Sequence, residues 1–258
     1  MDDKARLNEL WIAIRDALQA VVREHTITEK ELQIAGRFFN RLGQSNMFPS
    51  LIAVALAMTS IDVTRAAGGG TRPNIEGPFH KPGAPERRDG NLLDVAPHDG
   101  AVKLHLWGRL TDSSTGKPIA DGKLDFWQAD QEGTYDHGGF NLCGIVRSDS
   151  EGMFFVDTIV PRDYSEHDGD PIGELFRAMG KHNRRAAHIH LKVSAPGHVP
   201  LTTQIFMPDS EYLESDYVEG AVSPDLTLSF EPRPGRPAGS TDLASRFDIS
   251  LRPLASEA

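Results

Sequence analysis

Cysteine is almost missing from this 258-residue chain, with Cys143 its sole example. An intramolecular disulfide and any multi-thiolate metal site are therefore excluded. Basic residues are outnumbered, 27 Lys and Arg against 37 Asp and Glu. The resulting formal charge of −10 argues against nucleic acid as a partner, because phosphate binding needs a basic face. The longest apolar run, Leu51–Met58, is far too short to span a bilayer, so no membrane association is expected. Met1-Asp2-Asp3-Lys4 is too acidic for a signal peptide, and with the lone thiol it fits a reducing, cytoplasmic location. Tyrosine is sparse too, with only Tyr135, Tyr164, Tyr212 and Tyr217. Histidine reaches ten, so imidazole and oxygen are the ligand chemistry open to any bound metal. The length supports one large domain, or one domain with an appendage.

Two periodicities divide the chain. Over about the first 65 residues the pattern is helical: Leu7, Leu10, Trp11, Ile14, Leu18, Val21 and Val22 share one face. A second helix is predicted after Thr28, which forms a capping-box pair with Glu31. It carries Leu32, Ile34, Ala35, Phe38, Phe39 and Leu42, with Gly43 as its stop. The third stretch, Leu51–Val63, has no polar face and is expected to be buried. So much apolar surface needs a partner layer, either the rest of the chain or a second copy. Gly68-Gly69-Gly70 ends this pattern, and a proline-rich segment runs from Pro73 to Pro85.

From Val102 the period is two. Val102, Leu104 and Leu106 alternate with Lys103, His105 and Trp107, and further runs follow at Lys123–Gln128, Met153–Ile159, Ala186–Ser194 and Leu201–Met207. Phe247, Ile249 and Leu251 alternate near the end, and Pro232–Pro237 reads as a surface loop. Short strands at this spacing predict a mainly β protein, a β-sandwich at 71–258 behind a helical region at 1–70.

The most suggestive local feature is His188-Ile189-His190 inside one of these strands. Residues i and i+2 of a strand project from the same face, so two imidazoles can occupy neighbouring positions on one metal ion. A pair on a solvated face would look the same. Leu191-Lys192-Val193-Ser194 lacks the glutamate that a cupin-type Fe(II) site would want, but a site of two histidines and one carboxylate stays open. Tyr135 and Tyr164 each follow a strand, where loops leave a rigid scaffold. Either could equally be a half-buried turn residue.

Several ordered strings carry a resemblance. Asn74-Ile75-Glu76-Gly77-Pro78-Phe79, Trp127-Gln128-Ala129-Asp130, Gly133-Thr134-Tyr135, Phe140-Asn141-Leu142, Arg185-Ala186-Ala187-His188-Ile189-His190 and Leu201-Thr202-Thr203-Gln204 run in the order found in the intradiol ring-cleavage dioxygenases. The chain resembles the catechol and hydroxyquinol branches of that family from about Arg72 to Gly220, and its helical start is similar to the family's dimerisation region. The resemblance implies a β-sandwich homodimer, possessing non-haem Fe(III) and in some relatives a lipid at the helical interface. It implies Tyr135 and His188 as equatorial ligands, with His190 and Tyr164 axial, Tyr164 leaving when substrate binds. It also implies Arg185 as the active-site arginine, Gln204 as its motif glutamine, and Ile75, Pro78, Phe79, Tyr217 and Val218 as substrate walls. The implied reaction opens a catechol-type diol between its two hydroxyl-bearing carbons with O2, giving a cis,cis-muconate-type diacid. The alternative is hydroxyquinol, giving 3-hydroxymuconate or maleylacetate.

Charge supports such a ligand set. Two tyrosinates and one hydroxide neutralise Fe(III), and a catechol dianion displacing hydroxide and one tyrosinate leaves the site neutral while the two released bases take up the phenolic protons. Three departures stand out. Ala186 occupies a position where the family usually has proline. The Tyr135–Tyr164 interval of 29 residues is short, and Asp136-His137-Gly138-Gly139 matches neither branch. Leu201–Gln204 is similar to the catechol enzymes, whereas Trp127–Asp130 and Tyr212–Val218 are similar to the hydroxyquinol ones. Trp127 is expected in the core, Cys143 to be inert, and the remaining eight histidines to lie at the surface or in turns.

Overall fold

The structure, a computed structural model, describes residues 3–65, 69–235 and 240–254. Gly68, and Arg236 and Pro237 of the expected surface loop, lie outside the described residues. The chain begins with three helices, α1 (Asp3–Glu24), α2 (Glu29–Gln44) and α3 (Phe48–Arg65). Thr28 caps α2 as the capping box requires: its hydroxyl accepts from the Glu31 amide, and the Glu31 carboxylate accepts from the Thr28 amide at 2.8 Å. The helix runs one residue past Gly43, to a Ser45 cap.

Strands β1 (Lys103–Asp112), β2 (Lys123–Gln128), β3 (Cys143–Arg147), β4 (Met153–Ile159) and β5 (Tyr164–Ser165) follow. A short helix, α4 (Pro171–Ala178), precedes β6 (Arg184–Arg185), β7 (His188–Ser194) and β8 (Leu201–Phe206). The chain closes with β9 (Glu231–Pro232), β10 (Leu243–Arg246) and β11 (Ile249–Leu251). One sheet is antiparallel throughout, in the order β3-β2-β7-β8. The other is mixed: β1 pairs antiparallel with β4 and parallel with both β10 and β11, while β9 flanks β10. Leu104, Leu106 and Leu110 of β1 meet Leu124, Phe126, Ile189, Leu191 and Val193 of the opposing sheet in one buried cluster. This is the sandwich that the period-two pattern predicts. Gly108 lies where β1 passes the break between β10 and β11, and a Cβ there would sit 1.9 Å from the Phe247 carbonyl oxygen.

Part of the helical expectation changes. The apolar Leu51–Val63 segment is not buried as a whole; α3 sinks only Val54 and Met58 into the sandwich cluster, and Ile52, Leu56 and Val63 remain exposed. A single cylinder laid on a sheet buries one stripe, whatever the composition of its other sides. Over its full 18 residues α3 is, by length and composition, the one described helix apolar enough to cross a membrane, which the shorter Leu51–Met58 run did not suggest. Helix α1 buries none of its residues, and Leu7, Trp11 and Leu18 are more than half exposed.

Candidate active site

Strand β7 carries the site. His188 and His190 project from one face, and both are buried, as their i, i+2 spacing on an inward face requires. Pairing sets their neighbours: His190 lies opposite Trp127 of β2 and Gln204 of β8, and His188 opposite Phe206. The Trp127 ring stacks on His190 at 4.7 Å with planes 6° apart, so this core residue also forms a wall of the site. Gly77, at φ +72°, lets the Asn74–Phe79 segment pass over His190; a Cβ would sit 3.1 Å from the imidazole Cε1. Tyr135 arrives on the loop after β2 and Tyr164 opens β5, which pairs Tyr164 with Arg185 of β6. Phe79 stacks on Tyr135 at 4.2 Å.

Four donor atoms converge. His188 Nε2 lies 3.0 Å from His190 Nε2, which is 3.0 Å from the Tyr135 hydroxyl. The two phenolic oxygens are 3.4 Å apart, and the Tyr164 oxygen lies 3.5 Å from His188 Nε2. A metal with bonds of about 2.0–2.2 Å to nitrogen and oxygen holds adjacent donors roughly 3 Å apart, so the square of distances fits one ion. The tautomer of His188 also fits: a carbonyl can only accept, so Nδ1–H donates to Ala186 O at 2.6 Å and Nε2 keeps its lone pair. His190 Nδ1 and Trp127 Nε1 have no hydrogen-bond partner among the described residues.

Electrostatics agree with a site waiting for positive charge. Burial pushes both histidines well below the ordinary imidazole range, aided by the nearby Arg185, so they stay neutral. Burial likewise raises Tyr135 and Tyr164 above the usual phenol range, so neither ionises without a cation to stabilise the phenolate. Among the described residues no group of three His, Cys, Asp or Glu can hold a metal. The two-histidine, one-carboxylate alternative thus finds no support, and the cluster closes only when phenolic oxygen is counted.

Arg185 is 1% exposed and anchored through its Nε and Nη2. Its Nε donates to Asp216 Oδ1 at 3.0 Å and Oδ2 at 3.1 Å, and its Nη2 donates to Gln204 Oε1 at 2.7 Å. Burial alone would lower the guanidinium pKa, but Asp216 and the surrounding phenols outweigh it and raise the value. Gln204 in turn donates from Nε2 to Ile75 O at 3.0 Å, tying the arginine to the loop over the site. Beside Arg185 is a cavity of about 310 Å³ whose lining includes Ile75, Pro78, Tyr217 and Val218, four of the five expected walls. Phe79, the fifth, lies against the tyrosine rings instead. Cys143 is a buried free thiol raised to about 11, first by burial, in keeping with an inert residue.

Sequence reasoning missed three contributors. Asp216 holds both Arg185 and the Ala186 amide, the latter at 2.9 Å. Glu166 accepts from the Tyr164 hydroxyl and from the Tyr217 hydroxyl, each at 3.1 Å. His167, expected at the surface, is buried at 5% exposure because its Nδ1 donates to Asp170, the cap of α4, at 2.5 Å. Glu166 had a signal: two residues beyond Tyr164 in an extended run, it shares that face. Asp216 had none, being 31 residues from its partner.

Paired imidazoles, paired phenols and a buried arginine at one sheet face form a donor set that could hold a metal, and the relatives give the class of enzyme. Residues 75–253 match the family model described as Dioxygenase. The chain is 34% identical over 243 residues to hydroxyquinol 1,2-dioxygenase of Rhizobium sp. (strain MTP-10005), covering 89% of this chain and 81% of that one. It is 30% identical over 258 residues to catechol 1,2-dioxygenase of Pseudomonas sp. (strain EST1001), covering 93% and 85% respectively. The hydroxyquinol 1,2-dioxygenase structure from Pseudomonas putida DLL-E4 superposes with a TM-score of 0.86 at 27% identity, covering 98% of this chain and 94% of that one. The chain belongs to the intradiol ring-cleavage dioxygenases, a family that generally depends on non-haem iron.

Proposed function

We propose that Tyr135, Tyr164, His188 and His190 hold one non-haem Fe(III), and that a catechol-type diol is cleaved there between its hydroxyl-bearing carbons to a cis,cis-muconate-type diacid. The single observation that carries this reading is the convergence of four donor atoms at 3.0–3.5 Å around one point. Ferric iron, when bound, supplies Lewis acidity and makes the coordinated diol reactive toward O2. Every other function belongs to the chain. Two phenolates offset two of the three ionic charges, and the buried imidazoles add none. Tyr164, whose hydroxyl donates to Glu166 at the cavity edge, would help hold the ion and would be placed to take a phenolic proton of the substrate on Oη. Arg185 faces the ring and stabilises negative charge that builds on it. Gln204 and Asp216 act through Arg185 as positioning residues. Ile75, Pro78, Tyr217 and Val218 wall the ring, while Phe79 backs Tyr135.

The same proposal extends to organisation. Residues 1–70 form a dimerisation region and 71–258 the catalytic sandwich, supported by the exposed apolar face of α1. A groove of about 490 Å³ lined by Trp11, Ile14, Leu18, Val22 and Leu32 is of a size and polarity to take a lipid chain. The unpaired thiol Cys143 suits a cytoplasmic setting. The test is optical. Protein purified with stoichiometric iron is expected to be wine-red from tyrosinate-to-iron charge transfer, shifting when catechol is added without oxygen. A colourless, iron-replete protein overturns the ligand assignment.

A further inference from the structure

His188 and His190 are held by different means. The His188 ring is fixed on its far side by the hydrogen bond between Nδ1 and Ala186 O at 2.6 Å. His190 Nδ1 is buried and has no hydrogen-bond partner among the described residues. A metal-binding histidine almost always has its far nitrogen bonded to a carboxylate, a carbonyl or water, and that bond sets the orientation of the ring. For His190 something else must set it. The neighbours of its Nε2, His188 and Tyr135, belong to the same donor cluster and face the same point.

What surrounds the His190 ring is flat and close. Trp127 is its direct cross-strand partner, with the two planes 6° apart and the ring centres 4.7 Å apart. Gly77 covers the Cε1 edge, where a Cβ would sit at 3.1 Å. Trp127 Nε1 is itself buried without a partner among the described residues. An unpaired buried N–H carries a cost that a phenyl ring does not incur, so the indole contributes through its broad face and not through its nitrogen.

The indole has a brace of its own. Side chains alternate along a strand, so Asp125 and Trp127 share one face of β2, as His190 and Lys192 share one face of β7, and Asp125 lies opposite Lys192 in register. Onto this next row the segment that crosses His190 at Gly77 delivers His80, whose ring meets Trp127 edge-on at 4.7 Å and 61°. The two His80 nitrogens lie 3.4 Å from Glu76 Oε1 and 3.4 Å from Asp125 Oδ2, and Lys192 Nζ lies 2.7 Å from Glu76 Oε2. His80 is thus confined from both sides, with its side chain 16% exposed.

We infer that Trp127 and His80 are positioning residues for the metal site: His80, set between Glu76 and Asp125, holds the indole, and the indole face holds the plane of His190 in place of the hydrogen bond that its Nδ1 lacks. This rests on the ligand set proposed above and deepens it. A tilted imidazole swings its Nε2 lone pair away from the ion, so loss of the stack loosens the iron and broadens the range of geometries at the ferric centre. Loss of packing alone would lower stability without altering the spectrum of the ion.

The experiment uses the full chain loaded with ferric iron, and follows iron release to excess chelator together with the ferric EPR signal and the tyrosinate-to-iron band. Trp127→Leu, apolar but without a flat face, is expected to release iron about 10–100-fold faster than the wild type, with a broadened EPR signal and a shifted band. Trp127→Phe restores a flat face and is expected to stay within about 3-fold of the wild type, with its line shape. His80→Ala is expected to fall between the two. Wild-type release and spectra in either Trp127→Leu or His80→Ala overturn the inference, as does a Trp127→Phe protein as impaired as Trp127→Leu. Should Trp127→Leu fail to fold, His80→Ala decides on the same criterion. A wild type that is colourless with iron bound overturns the ligand set and this inference with it. A wine-red wild type whose variants keep its release rate and spectra overturns only the latter.

Discussion

Arg185 is a buried cation whose support comes from a residue that the sequence pattern did not single out. Asp216 accepts from the Arg185 guanidinium, from the Ala186 amide and from the Val218 amide. The Ala186 bond explains a departure from the family pattern. Proline has no N–H, so alanine at this position supplies a donor that helps fix the carboxylate clamping the arginine, rather than loosening it. Asp216→Asn leaves the guanidinium without its counter-charge and is expected to destabilise the fold by about 3–5 kcal/mol in urea unfolding. Ala186→Pro removes one of several donors to a charged acceptor and is expected to cost about 1–2 kcal/mol, with kcat falling more than KM changes. A proline variant as stable and active as the wild type would show that this amide does not position Arg185. The four converging side chains were legible as residue types in or after strands, but their convergence was not. His-x-His alone fixes a shared face, and it takes the β2–β7 and β5–β6 pairings to bring Tyr135 and Tyr164 within 3.5 Å of it.

Elements were legible in proportion to how local their stabilisation is. The β2 and β4 boundaries coincide with the expected runs; β4 prints its alternation of buried and less buried positions in the sequence, while β2 is buried at all but Lys123. Strand β3 was missed: Cys143 through Val146 are all buried, so no alternation appears. Strand β10 is Leu-Ala-Ser-Arg, weak in β propensity and formed by its pairing with β1 and β9. The Ala186–Ser194 run begins two residues ahead of its strand, β7 starting at His188, and the unpredicted β6 just before the run pairs β5. Helix α4 had a readable start in Asp170-Pro171, a cap followed by a first-turn proline, yet its eight residues are too few for a clear helical period. The shortened loop after Tyr135 has its own support. Asp136 accepts from the amides of Asn141, Gly139 and Gly138, and these bonds hold its carboxyl below the usual carboxylate range. A lowered folded-state value means the stabilisation is complete above the unfolded value near about 3.9 and is lost as pH falls through the depressed one. The Gly138 and Gly139 amide resonances of the metal-free protein should therefore titrate with a midpoint below about 3.9, and Asp136→Asn should abolish the transition. A midpoint at or above the ordinary value would mean the loop is not held this way.

For the molecule as a whole, the apolar surface left on the helices is the unsolved packing problem. Leu7, Trp11, Ile14 and Leu18 are exposed on α1, and Ile52 and Leu56 extend exposed apolar surface onto α3. The sequence periodicity showed that a partner layer was needed but could not choose between the sandwich and a second copy, since both bury the same stripe. The sandwich buries Val54 and Met58 of α3, takes Ile61 partly buried against them, and buries none of α1. A soluble surface rarely leaves patches beyond a few hundred Å² uncovered, so an isologous contact between helical regions is the expected remedy. Sedimentation equilibrium should give twice the 28.3 kDa chain mass at micromolar concentration. Placing carboxylates in that face with Trp11→Glu and Leu18→Glu together should raise the dimer dissociation constant by at least about 100-fold, since burying two unpaired charges costs more than 2.7 kcal/mol, the equivalent of about that factor. The colour predicted for the proposed iron site should survive, because both substitutions lie on α1, whereas Tyr135, Tyr164, His188 and His190 lie on or beside the sandwich strands. A wild-type protein sedimenting as a single chain, or a double variant that stays dimeric, would place the interface elsewhere.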